Sequence, residues 1–420
     1  MNIKIPKDRG MDRTLSIFKD GYEFIQKRVQ NHHLDVFETR VLGKKTALLS
    51  GEEGARLFYD RERMKRSGAM PSHILKSLFG EGGVQGLDGA VHEHRKLLFM
   101  NLMTPSRLHD LHTITTKLWK HTADNWVSKR KIVLFDETLL LLTRAGCEWA
   151  GIPLSDKEAP KRAKELNLLI EGASKVGPKY LSSVSARKHL EEWLMKMIEN
   201  VRAGNQMAAE GRALHEIATH HDINGHPLQA KTAAVELLNI IRPLVAVSRY
   251  IVFGACAMQE HPESKIKICE NEGYLENFIQ EVRRFYPFFP FLAARAKNDF
   301  TWQGYSFKEG QLVMLDLYGT NHDPRLWESP DRFMPDRFIN YVGSQYDLIP
   351  QGGGDHYKNH RCPGEWPTIE VMNASFKFLA SGISYSFPKQ DISFSLREIP
   401  SLPKSGFVMK NIRINKSPVK

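Results

Sequence analysis

The stretch that decides the fold runs over Pro350–Met372 and reads PQGGGDHYKNHRCPGEWPTIEVM. Three consecutive glycines, Gly352–Gly354, allow the backbone to approach something flat or bulky. Cys362 follows in a basic context, and neighbouring cations favour the thiolate form that ligates metal; these cations are Lys358, His360 and Arg361. The next residues predict a helix over Glu365–Met372, whose N-terminus would stabilise a thiolate further. The pattern therefore favours Cys362 as a metal ligand over the alternative of a buried, inert cysteine.

The rest of the chain is typical of a folded protein without a membrane anchor. It has 420 residues, of which 41% are hydrophobic and 25% charged, so it can bury a large core. The first residues, MNIKIPKDRGMDRTL, lack the apolar stretch and cleavage site of a signal peptide. The longest apolar run, Leu244–Met258, is interrupted by Arg249 and is too short to span a bilayer. We expect a cytoplasmic protein with no transmembrane segment.

Other binding functions find little support in the sequence. The net charge is +11, but no stripe of Lys and Arg is clustered, so nucleic-acid binding is not expected. None of the four cysteines forms a CxxC pair, which argues against a zinc site and a dithiol redox motif. The segment Thr219–His226 (THHDINGH) holds three histidines and an aspartate that could bind a transition metal. Its Asn-Gly turn and polar surroundings favour an exposed loop instead.

Apolar periodicity predicts a mainly α protein with small β regions. Thr39–Ser50 has the pattern of a β-hairpin around Gly43, and Gly310–Leu317 is β-prone. Between these regions, apolar residues at three- and four-residue spacing predict four long helices: Arg107–Trp126, Glu158–Glu171, Ala186–Ala203 and Thr232–Gln259. No repeat or linker divides the chain, so residues 1–420 are expected to form one domain.

Two motifs precede the cysteine segment. Glu281 and Arg284 stand three apart on one predicted helix face, which is the spacing of a stabilising pair. The element Pro335–Phe338 (PDRF) adds a third charged residue, Arg337, which would turn the pair into a core network; the alternative is a surface ion pair of little worth. Together with Cys362-Pro363-Gly364, and in this order, the motifs resemble those of the cytochrome P-450 superfamily. The likeness is greatest to its bacterial fatty-acid peroxygenase branch.

The resemblance runs through essentially the whole chain, with departures in the cysteine loop. The superfamily pattern has Phe and Gly where this chain has Asp355 and Lys358, and the peroxygenase pattern has Gly where Asn359 stands. The resemblance implies the cytochrome P-450 fold, with haem b (iron protoporphyrin IX) between the long central helix and the Cys loop. It also implies that Cys362 is the axial ligand of the haem iron.

The central helix, Ala233–Gln259, has no acid–alcohol pair that could deliver protons. Instead it carries Arg242 and Pro243 among apolar residues. Pro243 cannot donate to the carbonyl of Asn239 and should open the helix there, and a buried guanidinium is costly unless it is paired. From the residues alone, Arg242 could pair with a protein carboxylate, face solvent, or grip a substrate carboxylate. The resemblance favours the substrate, because the peroxygenases carry the same Arg-Pro.

This interpretation implies an enzyme that hydroxylates long-chain fatty acids at the α or β carbon with hydrogen peroxide. The fatty-acid carboxylate, held by Arg242, would act as base and acid toward peroxide, so no reductase is obligatory. Decarboxylation would give terminal alkenes as a minor product. One alternative is a conventional reductase-dependent monooxygenase, which would need the acid–alcohol pair. The other is a non-enzymatic haem sensor, which would not need Arg242.

The resemblance also assigns the remaining site residues. His92 and Lys96 share a helix face and are candidates for binding the haem propionates, with a solvated basic face as the alternative. Arg66 and His360 are further propionate candidates. Gln85 matches the hydroxylating members and joins Arg242 and Pro243 as a catalytic candidate. The predicted channel lining is aromatic, with plain core as the alternative: Phe79, Phe288, Phe289 and Phe291.

Overall fold

The computed structural model of the protein describes residues 3–8, 10 and 12–415. It is mainly helical, as the periodicity predicts. In chain order the helices are α1 (Thr14–Asp20), α2 (Gln26–His32), α3 (Gly51–Phe58), α4 (Ser72–Ile74), α5 (Gly89–Asn101), α6 (Pro105–Trp126), α7 (Leu134–Ala150), α8 (Ala159–Gly172), α9 (Pro178–Arg202), α10 (Ala213–Thr219), α11 (Ala230–Ala246), α12 (Ser248–Glu260), α13 (Pro262–Glu270), α14 (Glu272–Phe285), α15 (Tyr318–Asn321) and α16 (Glu365–Lys377). Short 3-10 turns lie at Gly21–Glu23, Val84–Gly86 and Pro335–Phe338, and π turns at Leu75–Phe79 and Phe378–Gly382.

The strands form three small sheets in the described part of the chain. They are β1 (Ile3–Lys4), β2 (Val36–Val41), β3 (Lys44–Leu49), β4 (Met64–Lys65), β5 (Lys131–Val133), β6 (Phe291–Ala296), β7 (Phe300–Trp302), β8 (Tyr305–Phe307), β9 (Leu312–Asp316), β10 (Ile383–Ser386) and β11 (Val408–Ile414). The largest sheet has the order β2-β3-β9-β6-β4, and the others are β1-β8-β7 and β10-β11-β5. The fold therefore joins a helical body to β regions drawn from both ends of the chain.

The predicted hairpin and the predicted strand near residue 312 belong to the same sheet. β2 and β3 pair antiparallel from Val36 opposite Leu49 to Val41 opposite Lys44. Leu42 and Gly43 close the turn with φ values of 50° and 71°, as a two-residue turn of the type that suits twisted strands requires. β3 then pairs parallel with β9, so both predictions are confirmed.

The central helix lies in the middle of the main apolar core. Between Ala233 and Met258 every residue except Pro243 and Ala246 is buried. The span Ala230–Glu260 is long and apolar enough to cross a membrane, but 89% of its most apolar window is buried inside the protein. A core helix of a folded protein has these properties, because it is surrounded by apolar side chains on all faces.

Two details of the helices differ from the prediction. α9 begins at Pro178, two turns before the predicted Ala186. Proline is well placed in a first helical turn, but the residues that follow it lack the clear apolar periodicity on which the prediction depended. We predicted that the central helix opens at Pro243. The interruption lies one turn later, at Val247. The N–H of Val247 donates to the carbonyl of Leu244 (3.1 Å), which tightens the backbone there.

The predicted charged network is confirmed in the core. Glu281 and Arg284 form a two-pronged ion pair with nitrogen–oxygen distances of 2.7 and 2.8 Å, and both side chains are completely buried. The Nε atom of Arg337 lies 3.1 Å from the same carboxylate, and the N–H of Met334 donates to it at 2.7 Å. Arg284 also donates to main-chain carbonyls, including that of Asn321 (2.9 Å). The network therefore fixes the segments before the cysteine loop against α14.

Candidate active site

The cysteine loop is closed by the side chain of Asn359. Its Oδ1 accepts the N–H of Asp355 (2.8 Å), and its Nδ2 donates to the carbonyl of Tyr59 (2.8 Å). Gly354 has a φ of 82°, and a Cβ at this position would lie 2.7 Å from Asn359 Oδ1. The N–H of Cys362 donates to the carbonyl of Gln351 (3.1 Å). The departure from the family pattern at Asn359 therefore supplies the hydrogen bonds that shape this loop.

The charges around Cys362 differ from the prediction. Burial raises the pKa of the Cys362 thiol, whereas the N–H of Gly364 and the cations Lys96 and Arg242 act to lower it. The sequence neighbours contribute less than we predicted, since Lys358 is exposed and the guanidinium of Arg361 is engaged by another carboxylate. The cations that favour a thiolate therefore come from α5 and α11, which lie far away in sequence.

That carboxylate belongs to Glu365, a residue that the sequence did not single out. Arg361 Nε donates to Glu365 Oε2 (2.7 Å), and His356 Nε2 lies 3.1 Å from the same atom. Arg283 of α14 also donates to Glu365. Against the effect of burial, Arg283, His356 and Arg361 hold the pKa of Glu365 well below its usual range. Glu365 thus anchors the start of α16 directly after Cys362.

The four predicted propionate ligands lie together. The rings of His92 and His360 stack with centroids 3.8 Å apart, and Lys96 Nζ donates to the carbonyls of Asn359 (3.2 Å) and Arg361. Arg66 lies over the ring of Phe58, 4.1 Å from its centroid. Burial, together with positive neighbours, lowers the pKa of His92 to about 3 and of His360 to about 4, and burial lowers that of Lys96 to about 8. A buried cluster of this kind gains from bound carboxylates.

This donor set fits a haem. A thiol for the iron and a basic cluster for two propionates lie near each other, since Lys96 Nζ donates to the carbonyl of Arg361, the residue directly before Cys362. Cys362 would hold the iron, and Arg66, His92, Lys96 and His360 would hold the propionates.

Arg242 is buried without a carboxylate partner among the described residues. Its side chain is nine-tenths buried, and Nη2 donates weakly to Asn239 Oδ1 at 3.4 Å. Its Nε has no hydrogen-bond partner in the structure, and its Cζ lies 5.2 Å from the ring centroid of Phe79. Burial, and to a smaller extent Arg187, lower the pKa of Arg242. Among the described residues, Arg242 therefore neither pairs with a protein carboxylate nor faces solvent, which were two of the three predicted alternatives.

Gln85 reaches Arg242 through Asn239. Asn239 Nδ2 lies 3.3 Å from Gln85 Oε1 and 3.2 Å from Glu236 Oε2. Glu236 is fully buried and accepts from Arg95 Nη1 at 2.8 Å. Glu236, Asn239 and Arg95 were not among the residues predicted from the sequence. The signal for Glu236 and Asn239 was the three-residue spacing of positions 236, 239 and 242 on one helix, whereas Arg95 lies on α5 and gave no such signal.

The predicted aromatic residues separate into two groups. Phe79 lies beside Arg242, and its ring centroid lies 6.4 Å from that of Phe289. Phe288 stacks on Tyr250 with centroids 4.2 Å apart, and Phe291 lies edge-on to Phe24 at 6.3 Å. The structure therefore brings Phe79 and Phe289 to the site, whereas Phe288 and Phe291 pack with core aromatics.

The histidine-rich segment lies outside this site. Residues 220–228 form a short two-stranded bridge, in which His221 pairs with Pro227, and Asp222 accepts the N–H groups of Asn224 and His226. Within the described residues no group of three or more potential ligands could hold a metal ion. The exposed-loop interpretation is therefore preferred to a transition-metal site.

Comparisons with known proteins agree with this geometry. Residues 257–366 match the family model for cytochrome P-450. A taxoid 2-alpha-hydroxylase from Taxus canadensis is 23% identical over 432 aligned positions, covering 93% of this chain and 84% of the relative.

Solved structures give closer matches. Cytochrome P450SP alpha (CYP152B1) is 46% identical with a TM-score of 0.95, covering 97% of this chain and 100% of that chain. Cytochrome P450EX alpha (CYP152N1) with myristic acid is 42% identical with a TM-score of 0.95, covering 98% and 100%. Ligand-free cytochrome P-450 OleT is 39% identical with a TM-score of 0.96, covering 99% and 100%. With the cysteine loop and the basic cluster described above, these matches show that the chain belongs to the cytochrome P-450 superfamily, in its CYP152 branch of fatty-acid peroxygenases, whose cofactor is a haem iron.

Proposed function

We propose that the enzyme uses hydrogen peroxide to hydroxylate long-chain fatty acids at the α or β carbon, with terminal alkenes as a minor product. The observation that carries the proposal is Arg242, a buried cation with no carboxylate partner among the described residues. An unpaired guanidinium in an apolar core is costly, and a carboxylate that enters from outside removes most of this cost. A fatty acid has such a carboxylate on a chain that suits an aromatic-lined site.

Each side chain of the site has a separate role in this function. Arg242 binds the carboxylate through two parallel hydrogen bonds and orients it. The carboxylate then takes a proton from hydrogen peroxide and returns it to the leaving oxygen. Cys362 would hold the haem iron, and the bound haem would supply the chemistry that cleaves the O–O bond. Phe79 and Phe289 exclude water beside the carboxylate, and Gln85 holds Asn239 in place.

Two related structures contain carboxylic acids. Cytochrome P450EX alpha was solved with myristic acid, and cytochrome P450SP alpha with (R)-ibuprophen. These ligands differ greatly in shape and share a carboxylate, which supports recognition of that group in this chain as well. Because the central helix carries no acid–alcohol pair, we propose that no reductase is obligatory. A single domain over residues 1–420, a cytoplasmic location and the absence of nucleic-acid partners stay predictions.

The test is to incubate haem-loaded protein with myristic acid and hydrogen peroxide, without a reductase, and to identify the products by mass spectrometry. We expect 2- and 3-hydroxymyristic acid, and none after Arg242→Ala. Arg249→Ala is the matched control, because Arg249 is also buried in the central helix but bonds to Asn167 (3.0 Å). If the parent enzyme forms no oxidised acid, or if Arg242→Ala retains full activity, the proposal is wrong.

A further inference from the structure

A chain of buried polar groups connects Arg242 to α5. Arg95 Nη1 donates to Glu236 Oε1 at 2.8 Å. Asn239 Nδ2 donates to Glu236 Oε2 at 3.2 Å, and Arg242 Nη2 donates to Asn239 Oδ1 at 3.4 Å. The side chains of Arg95 and Glu236 are 7% and 0% exposed, so solvent cannot replace any of these partners.

The neighbouring polar groups allow one orientation of the Asn239 amide. Its nitrogen faces two acceptors, Glu236 Oε2 and Gln85 Oε1, which leaves its oxygen as the only atom that can accept from Arg242. If the amide rotated by half a turn, its oxygen would face two acceptors and its nitrogen would face a guanidinium. The charge on Glu236 therefore decides which atom Asn239 presents to Arg242.

Arg95 connects this chain to the propionate cluster. It lies on α5 between His92 and Lys96, which belong to the basic cluster beside Cys362. The basic cluster and Arg242 are thus connected through α5 and the buried Arg95–Glu236 pair.

We infer that Glu236, held by Arg95, is a positioning residue that orients Arg242 through Asn239 and thereby sets which carbon of the fatty acid is oxidised. The inference rests on the proposed function, in which Arg242 binds the carboxylate. The acid itself touches neither Glu236 nor Arg95 in this scheme. A carboxylate displaced on a tilted guanidinium presents a different carbon for oxidation, so an error in orientation changes the ratio of products as well as the affinity.

The decisive variant is Glu236→Gln, which keeps the shape of the side chain. The new amide must present its oxygen to Arg95, so its nitrogen would face the nitrogen of Asn239. Asn239 would turn to relieve this contact, and Arg242 would lose the one side-chain acceptor that it has among the described residues. We expect the KM for myristic acid to rise about fivefold, the effect of one ordinary hydrogen bond. We expect kcat to change less than about twofold and the ratio of 2- to 3-hydroxy acid to change about threefold.

Two further variants separate positioning from stability. Asn239→Leu keeps the Arg95–Glu236 pair and removes the connection to Arg242, so it should change the product ratio in the same direction. Glu165→Gln is the matched control, since Glu165 forms a similar ion pair with Arg162 at 2.8 Å and is 9% exposed, on α8. It should lower the Tm as Glu236→Gln does and leave the product ratio and the KM unchanged.

Myristate affinity, measured by isothermal titration calorimetry, is the readout that does not depend on turnover. The affinity should fall about fivefold in Glu236→Gln and be lost in Arg242→Gln. A parental KM and product ratio in Glu236→Gln, with binding lost in Arg242→Gln, would overturn the inference and leave the proposed function intact. Parental myristate affinity in Arg242→Gln would contradict the proposed function itself.

Discussion

Replacing Arg242 with methionine should make the ligand-free protein more stable and unable to bind its substrate. The guanidinium is buried, has one side-chain hydrogen bond of 3.4 Å, and leaves Nε without a partner. Such a charge costs free energy in the folded protein and less in the unfolded chain, where water solvates it. Methionine is a flexible, unbranched side chain that can fill the same space without a charge.

The magnitude follows from the partners that Arg242 has. Exchanging incompletely compensated buried charges for apolar side chains stabilises proteins by about 1–4 kcal/mol. The contact with Phe79, 5.2 Å from the guanidinium carbon, offsets about 1 kcal/mol of this gain. We therefore expect Arg242→Met to raise the free energy of unfolding by up to about 3 kcal/mol. In a chain of 420 residues 1 kcal/mol shifts the Tm by only about 1 °C, so urea titration is the better measurement.

The assay compares both proteins with and without myristate. At a hundred times its Kd, the ligand should stabilise the parent protein by about 2.7 kcal/mol and Arg242→Met not at all. Arg28→Met is the control, since Arg28 is also buried and pairs with the carboxylates of Asp8 (3.1 Å) and Asp20 (3.1 Å). It should lower stability and leave the response to myristate unchanged. A less stable ligand-free Arg242→Met would refute the reasoning, because the guanidinium would then be satisfied without a substrate.

Three further predictions test the scaffold. Cys362→Ala should lose the thiolate-type absorption shift that reduction under carbon monoxide gives; an unchanged spectrum would exclude ligation. Glu281→Gln leaves Arg284 and Arg337 buried around a neutral group and should cost about 3–5 kcal/mol in urea titrations; a cost under about 1 kcal/mol would mean that the network is compensated elsewhere. Burial lowers the pKa of His322 from 6.5 to about 3, so the folded protein takes up this proton later than the unfolded chain and loses stability as the pH falls below 6.5. Between pH 6.5 and 5 the loss should be about 2 kcal/mol smaller in His322→Gln than in the parent protein, and parallel stability profiles would contradict the assignment.

The features that could be predicted from the sequence are those with local causes. Glu281 and Arg284 are three residues apart, so their ion pair needs only a helix to form. The hairpin turn at Leu42 and Gly43 needs positive φ values that glycine readily supplies. Arg242 was recognisable because a charged residue inside an apolar helix must have a special partner.

The features that could not be predicted depend on residues brought together by the fold. Arg95 and Glu236 are 141 positions apart, and nothing in either segment indicates that they pair. For the same reason the cations that act on Cys362 were wrongly identified: the sequence neighbour Arg361 binds Glu365, and Lys96 and Arg242 act instead to lower the pKa of the thiol. Proximity in sequence is a poor guide to electrostatics, because charge interactions act across space and long side chains point away from their neighbours.

Glu281 and Arg242 are both buried charges, but they differ in how completely they are paired. The carboxylate of Glu281 is surrounded by donors, so its network can hold the scaffold without any ligand. Arg242, in contrast, has a weak hydrogen bond to Asn239, and its Nε has no hydrogen-bond partner among the described residues. A core can carry such a cost only if the surrounding structure is rigid, and Glu236 and Arg95 supply that rigidity beside it. In the proposed function this destabilising charge is the group that a fatty-acid carboxylate would complete, so its cost would be released only when the substrate is in place.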